Sequence, residues 1–404
     1  MSTLATGRTP FRNASPGGPE TRIRPQIQDM VTDNIAVLAD KARHMTGVIP
    51  LWFGEGDLVT PAFIRDAAKK ALDDGKTFYV PDMRGTAGLT AALSAYQTRL
   101  HKRTIGRDRT TVTPGGMQAV ALGLEIILEP GTNAVYLTPQ WPNIHNAIHV
   151  TGAEPRPCPL MLHDNRWELD LGRIATLCDA RTRAIVFSSP NNPTGWTATA
   201  DDLRALLELG RERGIWIVAD EVYGRLYFDA DVAPSMLQIA EPDDLVLTVN
   251  SFSKAWAMTG MRLGWLTHPA ALADRVGAMT QYLNSGTAAF LQDAGTAAIT
   301  EGEAFVATMR ERCRVGVELA HHRLTAMPGV RTTERPRGGM YAFFQLTDWP
   351  DSRAACLHVL ERTQVGLAPG ELFGDAAAGW LRMCICRDAG QITQALDRMA
   401  ELLG

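Results

Sequence analysis

The chain has 404 residues and a formal net charge of −4, and 45% of its residues are hydrophobic against 21% charged. This length predicts two domains, and this composition is typical of a globular protein. Charges of both signs are spread along the chain without a basic block, so no nucleic-acid partner is expected. No apolar run reaches the roughly 18 residues that cross a bilayer, so no membrane association is expected either.

The N-terminus and the cysteines indicate the cellular compartment. The first 20 residues carry arginine, proline and glycine but lack the apolar centre of a signal peptide, and they predict a flexible arm. The six cysteines form no CxxC pair and accompany no histidine cluster with zinc spacing, so no metal site is expected. This pattern is typical of a protein of the reduced cytoplasm.

The first elements are predicted from hydrophobic periodicity. Residues 22–44 show a helical pattern, and residues 48–53 form a short apolar strand that ends at glycines. A second helix is predicted over residues 61–73, with Thr60 as its N-cap and a proline in its first turn.

The middle of the chain alternates short apolar runs with helical patterns. The predicted strands are residues 133–137, 184–188, 215–219 and 245–249, and a helix is predicted over 201–213. This alternation predicts a mostly parallel sheet covered by helices on both faces. Ligands of such sheets bind at the carboxyl ends of the strands, so the residues that follow each strand are the site candidates.

The last third has a different pattern. A long helical stretch covers residues 292–327, strands are predicted at 329–333, 340–346 and 381–386, and a final helix ends near Leu403. We interpret this part as a second, smaller α/β domain that the N-terminal segment joins. The predicted division is a flexible arm (1–20), a large domain (57–295) and a small domain (21–56 with 296–404).

Two of the strand ends carry glycines or asparagines. Gly115 and Gly116 follow a strand at 111–113 and open an apolar helix, where free backbone N–H groups and the helix dipole favour a phosphate. Asn192 lies in the run Asn-Asn-Pro-Thr-Gly at 191–195, where its amide would hydrogen-bond a ligand oxygen. An ordinary turn is the alternative at both places.

Two carboxylates follow the strand at 215–219. Asp220 would be partly buried and would need a cationic partner, for which a protonated pyridine nitrogen would serve. Capping of a following helix is the alternative role for Asp220. Glu221 is predicted to be a solvated or capping residue.

Lys254 follows the strand at 245–249 and lies beside the small hydroxyl residues Ser251 and Ser253. Desolvation and a nearby cation would lower its pKa from about 10.4 and provide an amine that forms a Schiff base and shuttles a proton. Arg262 would clamp a phosphate. An ordinary surface lysine is the alternative.

Several of these motifs together resemble one family. Ser-Phe-Ser-Lys at 251–254 with Arg-Leu-Gly at 262–264 resembles the cofactor-lysine signature of class I and II aminotransferases, the fold-type I pyridoxal-phosphate enzymes. The runs at 191–195, 220–223 and 338–341 match the same family in order and spacing. The resemblance extends over essentially residues 25–404 and implies a large domain with a mostly parallel, helix-covered sheet and a smaller α/β domain.

The resemblance implies roles for individual residues. Lys254 would hold pyridoxal 5′-phosphate as a Schiff base and move the substrate proton, and Asp220 would pair with the ring N–H. Tyr223, the third catalytic residue, would hydrogen-bond the phenolic oxygen. The full set implied to contact the cofactor is Gly115, Gly116, Met117, Trp141, Asn192, Asp220, Tyr223, Ser251, Ser253, Lys254, Arg262 and Tyr79.

Further implied roles concern the substrate and a second subunit. Arg382 would grip the substrate α-carboxylate with two parallel bonds, and Gly54, Asn192 and Trp141 would also contact the substrate. Tyr79 would reach the neighbouring site of a homodimer. Met117 departs from the family pattern because many relatives have a polar residue there, so the phosphate site would rely more on backbone amides.

The implied function is transfer of an amino group from an amino acid to a 2-oxo acid by ping-pong kinetics. A β-eliminating C–S lyase of the same fold is the alternative. A transcription regulator with an aminotransferase-like sensor domain is disfavoured, since the family match begins near residue 25 and leaves no room for a DNA-binding module. Side-chain specificity is not readable: Arg24, Arg84 and Arg337 lie near motifs but cannot be assigned to a second substrate carboxylate.

Overall fold

The computed structural model describes residues 18, 22–30 and 35–404, so the predicted arm (1–20) lies outside the described residues except for Gly18. The helices are α1 (Pro25–Gln28), α2 (Ile35–Ala42), α3 (Ala62–Asp73), α4 (Ala87–His101), α5 (Gly116–Ile127), α6 (Asn143–Val150), α7 (Leu171–Leu177), α8 (Ala200–Arg213), α9 (Ala273–Asn284), α10 (Ala289–Glu301), α11 (Glu303–Thr325), α12 (Ser352–Thr363) and α13 (Ala389–Leu403). The strands are β1 (Ile49–Pro50), β2 (Thr110–Thr113), β3 (Asn133–Thr138), β4 (Glu154–Pro159), β5 (Met161–His163), β6 (Arg166–Glu168), β7 (Thr182–Ser188), β8 (Trp216–Asp220), β9 (Val246–Ser251), β10 (Gly264–Thr267), β11 (Val330–Thr332), β12 (Tyr341–Leu346), β13 (Val365–Gly366), β14 (Ala368–Pro369) and β15 (Trp380–Cys384).

A seven-stranded sheet with the order β2-β10-β9-β8-β7-β3-β4 organises the middle of the chain. Strands β4, β3, β7, β8 and β9 run parallel, while β10 is antiparallel to both β9 and β2. Because β7, β8 and β9 end side by side, Ser188 pairs in register with Asp220, and Asp220 pairs with Val249. The predicted α/β fold class with a mostly parallel sheet is confirmed.

Both faces of this sheet are covered by helices. On β7, Ile185 and Phe187 contribute to the core beneath α7 and α8, and the alternating Ala184 and Val186 contribute to the core beneath α5, α6 and α9. This two-sided burial explains why the strands are almost continuously apolar. Helix α8 shows the local signals clearly, because Thr199 forms a capping box at its start and Gly214 ends it at φ 63°.

A second sheet, with the antiparallel strand order β11-β12-β15-β14, shares a hydrophobic core with α11, α12 and α13. The N-terminal segment joins it through β1, which pairs in parallel with β13. The chain after β1 thereby runs between the two sheets, and Leu51 and Trp52 are buried there. The exact division into domains at residues 56 and 295 stays a prediction.

Three local predictions were wrong in detail. Pro61, and not Thr60, is the N-cap residue of α3, and the Thr60 hydroxyl instead donates to the carbonyl oxygen of Ala257 (2.6 Å). The long helix predicted over 292–327 is broken at Gly302 into α10 and α11. Residues 22–44 contain two helices, α1 and α2, with residues 31–34 between them outside the described part. None of the described helices is long and apolar enough to cross a membrane.

Candidate active site

A cleft of about 330 Å³ opens at the carboxyl ends of β7, β8 and β9, between the large sheet and the strand β15. The predicted residues that line it are Gly54, Gly116, Met117, Trp141, Asn192, Asp220, Tyr223, Ser251, Ser253, Lys254, Arg262 and Arg382. Of the remaining two, Gly115 lies directly behind Arg262 and Tyr79 lies away from the cleft. A second cavity of about 470 Å³, on the far side of residues 194–199, is lined by none of the predicted residues.

Lys254 follows β9 and projects into the cleft. Its Nζ donates a hydrogen bond to the carbonyl oxygen of Gly54 (2.6 Å), and the side chain is only partly exposed. Burial lowers the pKa of Lys254, and the positive charges of Arg382 and Arg262 lower it further. A lysine whose neutral amine is favoured in this way is suited to attack a carbonyl carbon.

Asp220 ends β8 and is 5% exposed. Its Oδ1 accepts one hydrogen bond, from the backbone N–H of Val222 (3.2 Å), and residues 222–225 that follow form a turn and not a helix. Burial raises the pKa of Asp220 to about 6, although the charge of Lys254 acts in the opposite direction. A buried carboxylate to which none of the described cations is hydrogen-bonded fits a protonated ring nitrogen.

Glu221 was predicted to be solvated or capping, and the structure shows the capping role and not the solvated one. It is buried and not solvated: its carboxylate accepts hydrogen bonds from the Ser235 hydroxyl (2.6 Å) and the backbone N–H of Met236 (2.9 Å). It therefore caps the turn that begins at residue 236, and burial raises its pKa to about 7.

The start of α5 forms a cradle with Arg262. Gly115 has φ +94°, and a Cβ on this residue would lie 2.6 Å from Nη2 of Arg262. The Arg262 guanidinium donates to the carbonyl oxygen of Thr259 (2.8 Å). The Ser251 hydroxyl donates to the hydroxyl oxygen of Ser253 (2.9 Å). Backbone N–H groups at a helix start, two hydroxyls and a guanidinium together fit a phosphate. The thioether side chain of Met117, in the first turn of α5, also lines the cleft.

Arg382 lies on β15 and points inward. It is 4% exposed, its Nη1 donates to Oδ1 of Asn192 (2.9 Å), and its Nη2 donates to the carbonyl oxygen of Trp52. Its Nε is buried and has no partner within the described part of the chain. Described residues accept from Nη1 and Nη2 once each, so the guanidinium, with five N–H groups in all, retains donors for a carboxylate. Its bond to Asn192 leaves the amide N–H₂ of that residue available to a ligand oxygen.

Aromatic residues complete the cleft. Trp141 lines it as predicted, at the start of the loop before α6. Tyr341 and Phe373 were not assigned from the sequence, yet their rings lie 4.5 and 4.8 Å from the guanidinium carbon of Arg382. Tyr341 ends the matched run at 338–341, which was a usable signal, whereas no motif marks Phe373. Tyr79 is 82% exposed and does not line the cleft of its own chain.

Comparisons with known proteins agree with this arrangement. A family model described as aminotransferase class I and II matches residues 47–399. The chain is 30% identical over 373 residues to an aspartate aminotransferase of Pyrococcus horikoshii, covering 91% of this chain and 94% of that protein. It is 31% identical to an arginine–pyruvate transaminase of Pseudomonas aeruginosa, with coverage of 88% and 91%. A solved mutant of Thermus thermophilus aspartate aminotransferase superimposes with a TM-score of 0.88 at 30% identity, covering 94% of this chain and 99% of that one.

Proposed function

The chain belongs to the class I and II aminotransferase family, and we propose that it transfers an amino group from an L-amino acid to a 2-oxo acid, with pyridoxal 5′-phosphate bound to Lys254 as a Schiff base. One observation carries the proposal. One cleft is lined by a lysine with a lowered pKa, a buried aspartate that bonds none of the described cations, and an arginine from which described residues accept only two hydrogen bonds. These are the three groups that such a reaction requires.

The residues of the cleft fit the cofactor at both of its ends. The backbone at Gly115 and Gly116, with Ser251, Ser253 and Arg262, would bind the phosphate. Asp220 would accept the ring N–H and keep that nitrogen protonated. When bound, the cofactor supplies a carbonyl carbon that takes up the amino group and a ring that withdraws electrons from the substrate α-carbon.

The remaining side chains act on the substrate. Arg382 would bind the α-carboxylate with its remaining guanidinium N–H groups, which orients the α C–H bond towards Lys254. The neutral Lys254 amine would take the proton from the α-carbon and return it, as a general base and then a general acid. Tyr223 would donate to the phenolic oxygen. Because donor and acceptor use the same cleft, we propose ping-pong kinetics.

We also propose a homodimer. Phe78 and Tyr79 are 83% and 82% exposed in the single chain, and Tyr282 is 87% exposed. Aromatic side chains this exposed are typical of an interface, and in a dimer Tyr79 would approach the neighbouring phosphate site. The six cysteines are free thiols, which fits the cytoplasmic location that we propose from the sequence.

An absorbance spectrum tests the proposal. We expect the purified protein with pyridoxal phosphate to show a band of the bound cofactor near the visible edge. This band should be lost on adding an L-amino acid and restored by a 2-oxo acid. Lys254→Ala should not show the wild-type band.

Two other outcomes have a defined meaning. Release of pyruvate and ammonia without any added 2-oxo acid would instead support the β-eliminating C–S lyase. Absence of the band at saturating pyridoxal phosphate would contradict the proposed function altogether.

A further inference from the structure

Each charged side chain that this chain contributes to the cleft already has a role in the proposed function. Among the residues that the structure describes, the charged side chains lining the cleft are Asp220, Lys254, Arg262 and Arg382. The ring nitrogen, the cofactor carbonyl, the phosphate and the substrate α-carboxylate would each engage one of them. Within the part of the lining that this single chain contributes and the structure describes, no further cation faces a second substrate carboxylate, and no further carboxylate faces a cationic side chain.

The arginines that lie near motifs in the sequence do not supply this cation to the cleft of their own chain. Arg84 is bonded to both carboxylate oxygens of Asp82 (3.1 and 3.0 Å). Arg337 donates to Asp229 (2.6 Å). Neither of them, nor Arg24 at the N-cap of α1, lines the cleft.

An apolar wall begins at the carboxylate anchor instead. The Phe373 ring lies 4.8 Å from the guanidinium carbon of Arg382. On the other side Arg382 bonds the carbonyl oxygen of Trp52, and the ring of Phe53 packs edge-on against that of Trp52, with centroids 6.2 Å apart. Six of the apolar residues that line the cleft form what we call the apolar wall: Ile35, Phe53, Met117, Trp141, Leu372 and Phe373.

From this wall we propose that the amino donor carries an uncharged, apolar side chain, either a large aliphatic or an aromatic one. The inference rests on the proposed function and names the substrate class of the same site. A substrate whose α-carboxylate binds Arg382 would lie in the cleft that the apolar wall lines, with Phe373 beside the guanidinium. Covering that wall removes apolar surface from water, whereas a carboxylate or an ammonium group there would lose its hydration and find no ion-pair partner among the described wall residues of the same chain.

A half-reaction assay tests the proposal without any choice of acceptor. The loss of the cofactor band is followed after mixing the holoenzyme with L-leucine, L-phenylalanine, L-aspartate, L-glutamate or L-lysine. We expect the second-order rate constants for leucine and phenylalanine to exceed those for the three charged amino acids at least about tenfold.

The failures of the two proposals are distinguishable. A larger rate constant for aspartate, glutamate or lysine overturns the substrate class while leaving the aminotransferase function intact. A band that no amino acid changes overturns the proposed function itself.

A variant of the wall gives an independent measurement. Phe53 is 45% exposed at the mouth of the cleft, so an arginine in its place can reach water and the chain can fold around it. Phe53→Arg should raise the ratio of the aspartate to the phenylalanine rate constant at least about tenfold. Val315→Arg, an equally polar change at an exposed position of α11, is the control and should leave this ratio unchanged. An unchanged ratio in Phe53→Arg with the cofactor band retained contradicts the placement of the side chain against the wall.

Discussion

The hydroxyl oxygens of Tyr223 and Tyr341 lie 2.7 Å apart and share a hydrogen bond at the wall of the cleft. Burial raises the pKa of Tyr341 to about 12 and the pKa of Tyr223 well above its ordinary value, so both phenols stay protonated. A Cβ on Gly54 would lie 2.1 Å from the Tyr341 hydroxyl, so the glycine makes room for this pair. Tyr341 also lies over Arg382, and it thereby connects the proposed cofactor side of the cleft with the carboxylate side.

The first prediction concerns this hydroxyl pair. Tyr341→Phe removes the partner of the Tyr223 hydroxyl, which then donates more weakly to the phenolic oxygen of the cofactor. Less electron density is withdrawn from the cofactor, so the pH at which its absorbance band changes should rise by roughly half to one unit. Spectra of the holoenzyme recorded across pH measure this value. Tyr227→Phe, a change to a buried tyrosine that does not line the cleft, should leave it unchanged.

The second prediction compares two glycines with similar backbone strain. Gly115 and Gly131 have φ +94° and +90°, so alanine is strained at both. A Cβ at Gly115 would collide with Arg262, whereas no atom of the described residues lies within 4 Å of one at Gly131. Gly115→Ala should weaken pyridoxal-phosphate binding at least about tenfold, an estimate from the loss of one charge-assisted contact. Gly131→Ala should lower only thermal stability. Equal cofactor dissociation constants for the two variants, measured by titration, would count against the phosphate cradle.

The third prediction concerns the binding of the substrate α-carboxylate by Arg382. Arg382→Lys keeps the positive charge but loses the planar pair of donors that two parallel bonds to a carboxylate require. We expect kcat/KM for the preferred amino acid to fall roughly 100-fold, while the cofactor band is retained. Steady-state kinetics and a spectrum of the same preparation measure both. Should kcat/KM stay at the wild-type value, the α-carboxylate does not bind Arg382.

The fourth prediction concerns pH and the buried Glu221. Its pKa in the folded protein, about 7, is above the ordinary 4.5, so the folded state keeps this proton to higher pH than the unfolded state does. Ionisation of Glu221 therefore destabilises the fold progressively from about pH 4.5 to 7. The unfolding free energy of Glu221→Gln minus that of the wild type should rise over this window, by up to about 3 kcal/mol, and stay constant above it.

Denaturant unfolding of the cofactor-free protein at several pH values measures this difference. Glu303→Gln is the control with the opposite sign. The hydrogen bond from Arg225 lowers the pKa of Glu303 to about 2, so here the difference, variant minus wild type, should fall from about pH 2 to 4.5. A flat difference for Glu221→Gln between pH 4.5 and 7 would show that its carboxylate is solvated.

Local signals in the sequence were sufficient for the large sheet and for most of the cleft. Strands buried on both faces are continuously apolar, so they can be recognised in the sequence alone. The polar residues at their ends meet at one edge of the sheet because parallel strands end on the same side. Asp220 and Lys254 were therefore identified as site residues from their positions at strand ends. Arg382 was predicted only from the resemblance to a family, because the sequence around it does not indicate the direction of its side chain.

Long-range contacts decided what the sequence left open. Glu221 was predicted as solvated or capping; it is buried, and the groups that it caps, Ser235 and Met236, lie fourteen and fifteen residues away in the chain. Thr60 has the residue type of an N-cap, yet its hydroxyl bonds Ala257 on another segment. In both cases the partner is distant in sequence, so no local pattern records it.

The apolar wall is the clearest case of what only tertiary structure decided. Ile35, Phe53 and Phe373 come from α2, from the loop after β1 and from the turn before β15, and no spacing in the sequence links them. They meet because β1 pairs with β13 and because β14 pairs with β15, which brings the segments beside them to Arg382. Catalytic chemistry requires particular residue types and so leaves motifs, whereas a pocket for an apolar side chain requires only shape and hydrophobicity, which many residues supply equally well.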